Sequence, residues 1–216
     1  MKIKNKIILA LDVQEKNKAY EILDELKEDL NTIKIGYPLV LNEGPEIITK
    51  IKEKYDFKII TDFKVADIPA TNEKIVNTTL KKGADAIIVH GFTGKDSIKA
   101  CLDTARENNK EIFLLTEMSH PGADLFLKGA SEKIAEIGKE LEIKNYVAPA
   151  TKIDRLKKIR EIVGKDAYII SPGVGFQGGS IKNTLKYANA AIIGRSIYNS
   201  NSPKEKIHEF IELSKN

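Results

Sequence analysis

Short apolar runs alternate along the chain with longer stretches whose apolar residues recur at helical spacing. The runs are Ile7–Leu11, Thr32–Gly36, Lys58–Asp62, Ala86–His90, Ile112–Thr116, Asn145–Ala148, Ala167–Ser171 and Ala190–Gly194. They are rich in Ile and Val and nearly continuous, as parallel strands covered on both faces are. Ala19, Ile22, Leu23, Leu26 and Leu30 mark one helical face, and Ile75, Thr79 and Leu80 a less complete one. Ile134, Ala135, Ile137, Gly138 and Leu141 mark another, and Ile207, Phe210, Ile211 and Leu213 the last. Ser202-Pro203 ahead of that last stretch reads as an N-cap with proline at the first helical position. Eight strands, each followed by a helix, predict an α/β fold: a (β/α)₈ barrel, with an open doubly wound sheet as the alternative. No linker or low-complexity segment interrupts the series, so residues 1–216 are expected to form a single domain.

In such barrels the chemistry sits at the C-terminal ends of the strands. Several predicted strand ends are polar: Asp12, Lys34, Asp62 with Lys64, His90, Ser119, Ser171 and Arg195. The densest segment is Asp62-Phe63-Lys64-Val65-Ala66-Asp67-Ile68-Pro69-Ala70-Thr71. Residues two apart on a strand share a face, so Asp62 and Lys64 point together, and Asp67 follows within a turn. Two carboxylates around one ammonium favour its charged form. A lysine held cationic in a dry site can stabilise a developing carbanion and then protonate it. The same spacing also fits a surface ion pair at a strand end.

After the seventh strand, Ser171-Pro172-Gly173-Val174-Gly175-Phe176-Gln177-Gly178-Gly179 is glycine-rich enough to curl backbone N–H groups around an anion. Gly194-Arg195 ends the eighth strand, and the loops after strands seven and eight form the common phosphate site of these barrels. The glycine spacing is wrong for a dinucleotide fingerprint. Ser119-His120-Pro121-Gly122 gives a polar loop after the fifth strand. Ser119 has no acid–base partner in sequence, and His90, His120 and His208 show no metal-ligand spacing.

Composition narrows the classes. The 216 residues are 42% hydrophobic and 31% charged, which suits a packed core rather than a disordered chain. No apolar run reaches the length of a membrane span. The basic start Met1–Lys6 resembles the opening of a signal peptide, but Asp12 cuts the apolar run and no small-residue cleavage site follows; no export signal is expected. The net charge of +4 is spread along the chain, which argues against nucleic-acid binding. The one cysteine, Cys101, excludes an internal disulfide, fits a reducing cytoplasm and reads as a helix residue.

The motifs together resemble the orotidine 5′-phosphate decarboxylase family in its short microbial form. Leu9-Ala10-Leu11-Asp12, Lys34-Ile35-Gly36, Asp62-Phe63-Lys64-Val65-Ala66-Asp67-Ile68-Pro69, Ser119-His120-Pro121-Gly122, Pro172–Gly179 and Ile193-Gly194-Arg195 occur in that family's order and strand positions. The resemblance implies decarboxylation of orotidine 5′-monophosphate to UMP and CO₂ with no metal and no organic cofactor. It implies that Lys64 protonates C6 and that Asp62 lies beside the substrate carboxylate. Asp67 would be lent across a homodimer interface to the neighbouring site, with Thr71 reaching the ribose beside it. Lys34 and Asp12 would contact ribose hydroxyls, with Lys34 also in the charged network, and Ser119 would contact the pyrimidine. Gln177 and Arg195 would hold phosphate, with Gly194 backbone beside Arg195, and the Pro172–Gly179 loop would close over it. Ile88, Leu115 and Val147 are expected at the apolar wall where CO₂ departs. The nearest alternative is a Mg²⁺-dependent sugar-phosphate decarboxylase or hexulose-phosphate synthase of the same superfamily. A phosphate-binding barrel of amino-acid metabolism or a non-catalytic nucleotide-binding barrel would leave the Asp-Lys-Asp array unexplained.

Overall fold

Successive residues of each strand face two different interiors, and this sets the architecture. The computed structural model describes residues 3–215; Met1 and Lys2 of the basic start lie outside them. The strands are β1 (Ile7–Leu11), β2 (Thr32–Gly36), β3 (Lys58–Val65), β4 (Ala86–His90), β5 (Glu111–Leu115), β6 (Asn145–Val147), β7 (Tyr168–Pro172) and β8 (Ala190–Ile193). Neighbours in sequence pair in parallel, and β8 returns to β1 with Ile8 opposite Ile192, so the sheet is closed. Closure excludes the open sheet and leaves no unpaired strand edge.

The period-two alternation of a strand then sorts the apolar residues. Ile8, Ala10, Ile60, Ala86, Ile88, Phe113, Leu115, Val147, Ile170 and Ile192 fill the barrel. Ile7, Leu9, Leu11, Ile33, Ile35, Ile59, Ile87 and Val89 pack outward beneath the helices. Ile3 joins the inner cluster ahead of β1 and plugs the N-terminal end.

The helices are α1 (Lys16–Leu26), α2 (Tyr37–Glu43), α3 (Glu46–Lys54), α4 (Pro69–Lys81), α5 (Lys95–Glu107), α6 (Leu127–Glu140), α7 (Ile153–Val163), α8 (Ile181–Thr184), α9 (Arg195–Tyr198) and α10 (Pro203–Lys215). Helix α1 buries Ala19, Ile22, Leu23 and Leu26 as its spacing predicts. Helix α10 starts at Pro203, and the Ser202 carbonyl accepts from Lys206 N at 3.1 Å. Helix α4 is rotated from the expected face: Asn72, Val76, Thr79 and Leu80 are buried, and Ile75 packs only partly. Cys101 is buried on α5, where burial pushes its thiol up to about 12, so it is inert core.

One strand departs from expectation in a way that matters. Strand β3 continues to Val65, three residues beyond the predicted end at Asp62. Its pairing with β4 runs through Thr61↔Ile87 and resumes only at Val65↔Val89. The bulge between them contains Asp62, Phe63 and Lys64, and Lys64 has φ +43°. A non-glycine residue in the left-handed region costs about 1–3 kcal/mol, and such strain clusters at functional sites.

Candidate active site

The alternation that puts Ala10 inside the barrel also turns Asp12 inward, and Lys34 lies level with Ala10 on the neighbouring strand. Asp62 follows the inward Ile60 by two residues. The three converge above the apolar filling of the barrel. Lys34 Nζ lies 2.8 Å from Asp62 Oδ2 and 3.1 Å from Asp12 Oδ1. Lys64 Nζ lies 2.8 Å from the other Asp62 oxygen, Oδ1. The result is an alternating row, Asp12–Lys34–Asp62–Lys64.

Burial grades along this row. The Lys34 and Asp62 side chains are 7% and 12% exposed, while Lys64 and Asp12 at the ends are 33% and 36% exposed. The end groups are therefore the most open to a ligand, although all four line the same cavity. Desolvation alone would lower the Lys34 pKa, but the charges of Asp62 and Asp12 outweigh it and hold the ammonium above its ordinary value. Desolvation likewise opposes the Asp62 carboxylate, and Lys34 and Lys64 overcome it and hold its pKa below the ordinary one. Both inner groups are thus fixed in their charged forms.

The row opens onto one cavity at the mouth of the barrel. Ala10, Ile88, Leu115, Val147 and Ile192 form its apolar wall, which includes the three residues expected there. Met118 and Ser119 enter from the loop after β5, and Pro172, Gln177, Gly194 and Arg195 from the ends of β7 and β8. Gly173 has φ +103°, and a Cβ there would meet Thr151 Cγ2 at 2.8 Å and Ser119 Cβ at 3.2 Å. Only glycine allows the β7 loop to lie this close to the Ser119 loop.

Two local readings of the sequence change, the pair of carboxylates around Lys64 and the open glycine-rich cradle. Asp67 and Thr71 do not line the cavity of their own chain, although nine other predicted site residues do. Lys64 therefore has one carboxylate beside it, Asp62, and the ammonium flanked by two carboxylates is Lys34. The bulge of β3 carries the chain outward past Lys64, and Asp67 is exposed. Its loop is clamped: Asn72 Oδ1 accepts from Asp67 N at 3.0 Å, and Asn72 Nδ2 and Ser97 Oγ donate to its carbonyl at 3.0 and 2.9 Å. The glycine-rich loop also differs from an open anion cradle. The N–H groups of Gly175, Gly178 and Gly179 donate to the carbonyls of Gly179, Gly175 and Gly173. Those three donors are spent inside the loop and are not presented to an anion.

A comparison with known proteins supplies the deciding observation: residues 5–210 match the model of the family described as orotidine 5′-phosphate decarboxylase / HUMPS. The chain belongs to that family. It is 72% identical to an orotidine 5′-phosphate decarboxylase of Methanosphaera stadtmanae, with 100% of each chain covered. It is 49% identical to that of Methanocaldococcus jannaschii, over 96% of this chain and 98% of the other. A crystal structure of the M. jannaschii enzyme complexed with inhibitor BMP superimposes with TM-score 0.93 at 47% identity, covering 100% of both chains. The Pyrococcus horikoshii enzyme superimposes with TM-score 0.89 at 37% identity, over 97% of this chain and 99% of that one.

Around the cavity, the structure adds groups that the sequence did not disclose. Glu117, just before the Met118-Ser119 loop, is fully buried. Its Oε1 accepts from Lys152 Nζ at 2.7 Å and from Arg155 Nη1, and both cations also pair with Asp124. Thr151 Oγ1 donates to the Ser119 carbonyl at 2.7 Å, tying the same loop from the side. Tyr198 and Phe176 line the cavity as well. A carboxylate following an apolar strand is the only sequence signal for Glu117, and its partners lie more than thirty residues away. Conversely, Ser171 is fully buried and donates to the Ala148 carbonyl at 2.6 Å, a structural role. His90 packs its ring against that of Phe92 at a tilt of 55° and is absent from the cavity wall; burial, then the Lys64 charge, pull its pKa down to about 4. Among the described residues, no group of three or more His, Cys, Asp or Glu is placed to hold a metal ion.

Proposed function

We propose that this chain decarboxylates orotidine 5′-monophosphate to UMP and CO₂, with no metal or organic cofactor. It works as a single (β/α)₈ domain over residues 1–216 and as a cytoplasmic homodimer. The observation that carries this reading is the row Asp12–Lys34–Asp62–Lys64, which ends on a reachable ammonium in a cavity with an apolar wall.

Breaking the C6–carboxylate bond releases CO₂ and leaves its electron pair on C6, as a vinyl carbanion with no adjacent carbonyl to accept it. An acceleration at the top of the usual enzymatic range, ~10¹⁷-fold, needs roughly 23 kcal/mol of barrier reduction. A fixed cation in a water-poor site meets that charge as it forms, without reorganising. Lys64 fills this role and then transfers a proton to C6. Asp62 keeps the ammonium aimed and lies beside the departing carboxylate. Lys34 and Asp12 take the ribose hydroxyls, and Ser119 the pyrimidine edge. Ile88, Leu115 and Val147 receive apolar CO₂. Gln177 and Arg195 hold the phosphate with the Gly194 backbone beside Arg195, and the Pro172–Gly179 loop closes over it; the phosphate's binding energy, remote from C6, drives that closure.

Asp67 and Thr71 act on the neighbouring subunit's site. The clamp of Asn72 and Ser97 on the Asp67 backbone supports this, because it holds an exposed carboxylate at a defined position away from its own cavity.

The test is conversion of orotidine 5′-monophosphate by the purified chain, followed by the fall in substrate absorbance with a chelator present. Turnover to UMP is expected. Activity that vanishes with chelator and returns with Mg²⁺ would overturn the reading in favour of the sugar-phosphate branch.

A further inference from the structure

Arg195 is exposed, and among the described residues no carboxylate pairs with it. What it touches is an aromatic ring: its guanidinium carbon lies 3.9 Å from the centroid of Phe176. Phe176 is 62% exposed, in a loop otherwise made of small or polar residues. Nothing in the core accounts for a ring at this position. The local backbone explains how it gets there. Gly175 and Gly178, at φ +76° and +91°, bracket Phe176 and Gln177, and Gly178 N donates to the Gly175 carbonyl at 2.7 Å. The two side chains occupy the centre of a tight turn, and both line the cavity.

A guanidinium offers two kinds of surface. Its face stacks on aromatic rings, and its edge carries five in-plane N–H donors. Phe176 occupies the face and leaves the edge free. A phosphate dianion binds the edge, so ring and anion do not compete. The ring also shields one face from water, which strengthens the charge-assisted bonds made at the edge.

We infer that Phe176 is a positioning residue for phosphate recognition: its ring holds the otherwise unpartnered Arg195 guanidinium in a fixed plane, and the same contact latches the Pro172–Gly179 loop onto the end of β8. This rests on the assignment of Arg195 to the phosphate. The loop therefore brings two functions in adjacent residues, Gln177 to face the ligand and Phe176 to orient the cation opposite.

The test is calorimetric binding of UMP and of uridine to the intact protein, with kcat and KM for orotidine 5′-monophosphate, in Phe176→Ala, Phe176→Leu, Phe176→Tyr, Arg195→Ala and the double alanine variant. Phe176→Ala and Phe176→Leu should each weaken UMP about threefold to tenfold, the size of a cation–π contact, and leave uridine unchanged. Phe176→Tyr should bind as the parent does. In the Arg195→Ala background, Phe176→Ala should change nothing further. Parent-like UMP binding by Phe176→Leu, equal losses on uridine, or additive losses in the double variant would overturn the inference while the phosphate assignment stands. Parent-like UMP binding by Arg195→Ala would overturn both.

Discussion

Lys64 holds its ammonium 2.8 Å from Asp62 Oδ1 while its own backbone sits in the left-handed region at φ +43°. The strain and the ion pair belong together. A regular strand would continue its pairing with β4 through this residue, whereas the bulge frees it from the ladder. Replacing Lys64 by alanine should abolish decarboxylation and leave UMP binding measurable, because the phosphate and ribose contacts remain. Near-parental turnover by Lys64→Ala would remove the lysine from the chemistry.

The inner pair has a structural as well as a chemical role. Asp62→Ala strands the buried Lys34 ammonium with only Asp12, at 3.1 Å. Breaking a buried pair typically costs about 3–5 kcal/mol, much of it from the charge left behind. Asp62→Ala should therefore lower the denaturation midpoint sharply, and Asp62→Ala with Lys34→Met should recover part of the loss. An unchanged urea midpoint in Asp62→Ala would show that the pair does not contribute.

Sharing of sites predicts complementation. Asp67→Ala and Lys64→Ala should each be inactive, and mixed dimers should regain activity, since one of the two sites in each hybrid receives an intact set. The measurement is turnover after subunit exchange, with hybrids resolved by differential tagging. Silent hybrids would leave Asp67 serving no partner site.

His90 gives stability a pH dependence of known sign. Its pKa falls from 6.5 in the unfolded chain to about 4 in the fold, so the unfolded state binds more protons between these values. Stability accordingly drops as pH falls from about 6.5 to about 4, by at most about 3 kcal/mol before solvent screening reduces it. His90→Asn should flatten the melting temperature over that window. A slope identical to the parent's would assign the dependence elsewhere.

Much of the architecture was legible from local pattern, because both faces of every strand are buried and the strands read as unbroken apolar runs. Ile7–Leu11 and Ala86–His90 were placed to the residue. The end of β3 was not legible, since its bulge depends on pairing with β4, which no local propensity encodes. The inward turn of Asp12, Lys34 and Asp62 followed from period-two alternation once the strands were known. The pairing of Lys34 with both carboxylates did not, because Asp12 and Lys34 lie 22 residues apart. The role of Glu117 is not written in local sequence for the same reason. A buried carboxylate looks like any other until its cations, Lys152 and Arg155, arrive from the next strand–helix unit.

By itself the sequence determined the eightfold alternation, the polar strand ends and the motifs that place this chain in its family, since all of these are written in short-range order and residue type. Only the tertiary structure decided which ammonium sits between two carboxylates, that Ser97 holds the Asp67 carbonyl, and that Phe176 covers Arg195. Those are distances between elements remote in the chain, set by how the closed barrel aligns its strands, and electrostatic coupling falls off with that distance rather than with separation in sequence.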